Sequence, residues 1–139
     1  MKPMPDKVFI DTNIFFYLYS SDELEKQSKA EKAIKNCECI ISTQVLNELC
    51  NILIKKMKLS TNKIKKVVAE IYKSCTVVRI ERETIELALE LQKEYKYSYY
   101  DCLILSSALL SDCKQILTED MQDGHVIKNI LTVTNIFNK

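Results

Sequence analysis

Glycine occurs once in the 139 residues, proline twice and only within the first five, and histidine once. So little glycine and proline leaves no material for a flexible linker, a repeat array or a low-complexity segment. A lone histidine, His125, excludes a multi-histidine metal site and weakens any Ser-His-Asp proposal. No run approaches the ~18 consecutive apolar residues of a membrane span. The first residues, Met1 to Lys7, carry charge without the apolar region and small-residue cleavage site of an export signal. The expectation is a cytoplasmic protein with no membrane partner. Excess charge of one sign is missing too: 20 Lys and Arg face 19 Asp and Glu, a formal net charge of +1, so global charge nominates no nucleic acid.

What is there is ordinary for a folded domain, 47% hydrophobic and 28% charged residues, and the length suits one domain. Six cysteines, at 37, 39, 50, 75, 102 and 113, would suit a disulfide framework only outside the cell, so reduced thiols are expected. Cys37 and Cys39 have no companion Cys or His pair, which argues against structural zinc.

The chain alternates. Short apolar strands are expected at 7–10, 39–42, 76–80, 115–118 and 131–134, and helices at 14–19, 22–36, from a Thr43 cap to about 57, from a Ser60 cap to about 74, and at 82–95 and 99–111. The helix from Tyr99 is apolar almost all round and should lie at the centre. Strands separated by helices predict an α/β three-layer sandwich with a mostly parallel central sheet.

In such sheets the functional crevice lies beyond the carboxyl ends of the strands. Asp11 directly follows the first strand and Asp120 follows the fourth, although an Asp there also serves as an N-cap or turn former. Glu48 flanks the apolar arc Val45, Leu46, Leu49, Ile52 and Leu53; it either reaches the sheet edge or is a boundary glutamate with its head in water. Asp101 opens the most apolar helix, where a charge must be paired, coordinated or neutralised, or it closes a capping box with Ser98. Four acids from four elements, with no Lys or Arg beside them in sequence, would repel unless a divalent cation compensates. All-oxygen ligation selects Mg²⁺ or Mn²⁺. Glu119 and Asp123 are additional acids of the last loop. An EF-hand from Glu119 to Ile130 would put Gly124 at position six, but Met121 at position three and Ile130 at position twelve defeat it.

The four stretches Phe9-Ile10-Asp11-Thr12-Asn13, Val45-Leu46-Asn47-Glu48-Leu49, Tyr100-Asp101-Cys102-Leu103-Ile104 and Leu117-Thr118-Glu119-Asp120 resemble the four acidic motifs of PIN-domain ribonucleases. The resemblance runs from about Lys7 to Phe137, and in length and spacing is nearest to the toxin half of VapBC-type toxin–antitoxin pairs. It implies that residues 1–139 form a single PIN-like nuclease domain. It also implies that Asp11, Glu48, Asp101 and Asp120 are the catalytic, metal-holding acids for one or two Mg²⁺ or Mn²⁺ ions, with Thr12, Asn13 and Thr118 as the supporting polar shell. Implied partners are an RNA substrate and a small antitoxin protein. The aromatic stretch Phe15, Phe16, Tyr17 and Tyr19 is divided between core packing, a partner groove and a homodimer contact. Lys55, Lys56, Lys58, Lys63, Lys65 and Lys66 form a basic block without an acid, either a phosphate track or a solvated face. Rival readings are a PIN-like binding domain too weak for turnover, a housekeeping RNA-processing nuclease, and a phosphoacceptor receiver domain. The last would need an Asp ending a central strand, which the strands at 39–42 and 76–80 lack.

Overall fold

Residues 5–138 are described by the computed structural model. Residues 1–4 and 139 lie outside the described residues, and with them most of the segment read above for an export signal. The strands are β1 (Lys7–Ile10), β2 (Glu38–Ser42), β3 (Thr76–Val78), β4 (Gln115–Leu117), β5 (Val126–Ile127) and β6 (Leu131–Thr134). They form one six-stranded sheet of order β3-β2-β1-β4-β6-β5. Every pairing is parallel except β5 with β6. β1 lies inside the sheet with Val8 opposite both Cys39 and Gln115, and Val8, Phe9 and Ile10 are all buried. A strand covered on both faces must be apolar at consecutive positions, which is why so short a run specifies it.

The described residues also form six helices, α1 (Thr12–Tyr19), α2 (Leu24–Lys35), α3 (Thr43–Lys55), α4 (Thr61–Ser74), α5 (Arg82–Tyr95) and α6 (Tyr99–Leu110), with α3 and α6 laid on the sheet and α5 on α6. The anticipated mostly parallel α/β architecture is what the chain adopts. In α6 seven consecutive residues, Cys102 to Ala108, are buried, as its unbroken apolar character demands. By contrast α3 and α4 bury one stripe each, Val45, Leu46, Leu49 and Leu53 on the first and Ile64, Val67 and Ile71 on the second. No helix among the described residues is long and apolar enough to cross a membrane.

Boundaries differ from the sequence reading where side chains cap helices. Asp11 accepts from the Thr12 N–H, so α1 starts at Thr12 rather than Ile14. Ser42, the last residue of β2, accepts from the Val45 N–H and makes Thr43 the first helical residue rather than the cap. α2 begins at Leu24, two residues later than expected, and β3 stops at Val78 rather than Ile80, at the sheet edge. β5 was not anticipated. It returns to β6 through Lys128 and Asn129, both at positive φ (53° and 58°), with the Ile130 N–H donating to Ile127 C=O. The two left-handed residues open a three-residue loop, 128–130, between the paired Ile127 and Leu131, built without the glycine that would announce it. A closing 3₁₀ turn, Ile136–Asn138, was likewise unforeseen.

Candidate functional site

Since β1, β2 and β4 are parallel and adjacent, their carboxyl ends lie at one edge of the sheet. Asp11, the start of α3 and Thr118 therefore emerge side by side. Asp11 is 4% exposed and both its oxygens are engaged: Oδ1 accepts from the Thr12 N–H at 2.7 Å and Oδ2 from the Thr118 hydroxyl at 2.7 Å. The same Thr118 hydroxyl accepts from the Asp120 N–H at 3.2 Å, folding the last loop back over Asp11. Asn13 then donates from Nδ2 to Asp120 Oδ2 at 3.0 Å.

Glu48 is half-buried on α3. Its Oε2 accepts from the Thr12 hydroxyl at 2.8 Å, and its Oε1 from Gln44 Nε2 at 2.9 Å, one turn earlier on α3. Gln44 also donates to the Tyr100 C=O at 3.1 Å, tying α3 to the first turn of α6. There Asp101 follows the Ser98 cap, whose hydroxyl accepts from the Asp101 N–H at 3.2 Å. Asp101 thus combines the capping arrangement with a carboxylate that feels the charges of Asp120 and Glu48.

Electrostatics tie the four together. Burial pushes the Asp11 carboxyl up to about 6, against the hydrogen bonds from Thr118 and Thr12 and with help from the charges of Asp120 and Glu48. Burial also raises Asp101, opposed by Ser98 and reinforced by Asp120 and Glu48. Asp120 is raised by burial and then by Glu119 and Glu48. Among the described residues no Lys, Arg or His forms an ion pair with Asp11, Glu48, Asp101 or Asp120.

The two additional acids go elsewhere. Glu119 accepts from the Tyr17 hydroxyl at 2.5 Å and pairs with Lys26 at 3.2 Å. Asp123 accepts from the Asn135 N–H at 2.9 Å and fixes the turn into the closing 3₁₀ segment. All six lysines of the basic block are exposed, Lys55 and Lys56 at the end of α3, Lys58 in the turn, and Lys63, Lys65 and Lys66 on α4. Lys55 is seven residues beyond Glu48, about 10 Å along the helix. Of the aromatic stretch, Phe15 and Tyr17 are core residues, while Phe16 and Tyr19 are half-buried. His125 shares Nδ1 with the Tyr97 hydroxyl at 2.7 Å, and the buried Ser106 donates its hydroxyl to Thr84 C=O.

Gln44, Tyr17 and Lys26 escaped sequence reasoning. For Gln44 a signal existed, its i, i+4 spacing to Glu48. The Tyr17 and Lys26 partnership with Glu119 spans more than ninety residues and left none.

Donors at this edge are carboxylate, hydroxyl and amide oxygens, the hard set that suits a divalent cation of the Mg²⁺ or Mn²⁺ kind. The Gln44 Oε1 is buried with no partner, a further oxygen beside Glu48. Among the described residues no three His, Cys, Asp or Glu side chains already stand close enough together to close on an ion. The residues fit such an ion in chemistry, and binding it requires the carboxylates to turn inward.

The PIN domain family model matches residues 8–122, from β1 through the loop that carries Asp120. Comparison with curated protein sequences gives no match. Among solved structures the chain is similar to a toxin–antitoxin complex from Klebsiella pneumoniae, with TM-score 0.71 and 21% identity over 93% of this chain and 97% of that one. It is similar to a VapBC complex from Rickettsia felis bound to promoter DNA, with TM-score 0.67 and 20% identity over 93% and 99%. A third is the sarcin–ricin-loop-cleaving toxin of Mycobacterium tuberculosis, with TM-score 0.64 and 16% identity over 78% and 86%. At these identities the likeness is one of fold.

Proposed function

The chain belongs to the PIN-domain family, and from that premise we propose that it is a divalent-metal-dependent endoribonuclease, the toxin of a toxin–antitoxin pair, folded as one domain over residues 1–139. The observation that carries this reading is the set of four carboxylates at one sheet edge, three of them raised by burial and by neighbouring acids and, among the described residues, none ion-paired with a cationic side chain. Asp11, Glu48, Asp101 and Asp120 would hold one or two Mg²⁺ or Mn²⁺ ions. When bound, the metal supplies positive charge for the scissile phosphate and lowers the pKa of an attacking water.

This chain's residues do the rest. Thr12 and Thr118 orient Glu48 and Asp11 through their hydroxyls, Asn13 aims Asp120, and Gln44 holds Glu48 against α6. These side chains fix where the acids point without consuming every lone pair. No side-chain nucleophile is needed, in keeping with the engagement of His125 and Ser106 elsewhere. The solved structures of similar fold include toxin–antitoxin complexes. In that arrangement an antitoxin tail would cover the acid edge with a basic side chain in place of metal.

Cleavage of a structured RNA tests the proposal. EDTA is expected to stop it, Mn²⁺ or Mg²⁺ to restore it, and alkylation of native thiols to leave it intact. Cleavage that persists in EDTA rejects metal dependence, and RNA binding without cleavage leaves a binding domain. Induction in cells tests the toxin role: wild type should arrest growth, Asp11→Asn should not, and the product of a neighbouring small gene should rescue.

A further inference from the structure

Two cysteines distant in sequence meet at the end of β2 remote from the acids. Cys39 is the second residue of β2, and Cys75 caps α4 immediately before β3. Ile40 pairs with Thr76 in the parallel register, so the cysteines occupy the next step back along the same two strands. Adjacent strands stand ~4.8 Å apart, inside the ~4.4–6.8 Å separation of Cα atoms that a disulfide accepts. The two sulfurs approach to 2.7 Å, well inside non-bonded contact, and both are free thiols. Cys39 is buried. Cys75 is half-buried and opens on a cleft of about 130 Å³ lined also by Phe15, Tyr19, Ile34 and Ile71.

The remaining cysteines lack this combination. Cys102 and Cys113 are fully buried, Cys50 stands by itself on α3, and Cys37 turns its thiol toward Ile34 C=O. We propose that Cys39 and Cys75 are a dithiol site that a small peroxide entering from the cleft converts reversibly into an intrachain disulfide. Cys75 provides the attacking sulfur, since of the two it is the one that opens on the cleft while Cys39 is buried behind it. Its sulfur takes one peroxide oxygen as a sulfenic acid while the O–O bond breaks and the other oxygen leaves as water. The Cys39 sulfur then attacks the sulfenic sulfur, the S–S bond forms, and a second water departs with the remaining thiol proton. Two electrons leave the sulfurs and reduce one peroxide to two waters. A dithiol reductant reverses the change, so the reduced state expected from the sequence remains the resting state.

The bond would staple edge strand β3 and the end of α4 to β2, closing a loop that contains α3 and α4 and lowering the entropy of the unfolded chain. The test uses the full chain, reduced and then exposed to a small excess of hydrogen peroxide. Thiols titrated after denaturation should fall from six to four, peptide mapping should recover the Cys39–Cys75 link, and the melting temperature should rise. Dithiothreitol should undo all three. Cys75→Ser should retain its five thiols under the same treatment, and Cys50→Ser should still lose two. Six thiols retained in the wild type, a link through Cys37, or a link between molecules would overturn the proposal.

Discussion

Glu119 and Asp120 are neighbours in the chain with opposite surroundings. Glu119 points to the α2 side, where Lys26 supplies a cation, Tyr17 a hydroxyl, and the rings of Tyr17 and Phe137 flank the ammonium at 4.6 Å and 5.2 Å. Asp120 points to the acid edge, where it meets Asn13 and the fields of other carboxylates. One region is charge-compensated within the protein and the other is not. A fold that, among the described residues, supplies a lysine for Glu119 and withholds one from Asp120 beside it and from Asp11, Glu48 and Asp101 has stored repulsion at the second place, and such storage marks function more than stability.

The comparison breaks most sharply if the uncompensated acids prove dispensable. Asp11→Asn or Asp101→Asn should reduce RNA cleavage to background, because each removes a charge without changing volume. Without divalent ions Asp11→Asn should also raise stability at neutral pH, on the order of 3 kcal/mol for a buried carboxyl lifted from 3.8 to about 6. A lower melting temperature for Asp101→Asn alone would favour its capping role over its charge.

The stability gap between wild type and Asp11→Asn should depend on pH with a definite sign. A carboxyl raised on folding binds its proton more readily in the folded chain, so its stabilising protonated form is lost as pH rises through the folded value. In chelator the gap should be widest near pH 7, narrow as pH falls through about 6, and vanish below 3.8. Paired melts across that range would read it, and a gap independent of pH would remove Asp11 from the repulsive set.

Lys26→Gln addresses the compensated region. It leaves Glu119 and Tyr17 without their cation, so the melting temperature should fall and cleavage drop by about tenfold or less through a looser last loop. The effect of Lys63, Lys65 and Lys66→Gln should be smallest. If those exposed lysines track phosphates, each lost contact removes about 0.7 from the slope of log affinity against log salt for single-stranded RNA. An unchanged slope returns them to solvent.

Most of this arrangement was legible because two strong constraints write themselves into short stretches. β1 and α6 are covered on all sides, so their apolar runs admit one interpretation. Acids at the ends of parallel strands have one edge to share, which brought Asp11 and Asp120 together before any geometry was known. β5 stayed hidden since Lys128 and Asn129 adopt left-handed geometry without glycine. The preference for Asp120 over Glu119 came from the family resemblance, while its physical basis stayed hidden, as it rests on Lys26 and Asn13, each about a hundred residues away.

The Thr118 hydroxyl bonded to Asp11 has a consequence for timing. The two residues are 107 positions apart, and β4 is the strand that fills the second side of β1. During synthesis, at ~5–20 residues per second, a chain that has emerged only through α6 already carries Asp11, Glu48 and Asp101. It still lacks both the hydroxyl that fixes Asp11 and the loop that brings Asp120. The order of translation thus acts as a delay on the acid edge, which is complete only once β4 has docked beside β1.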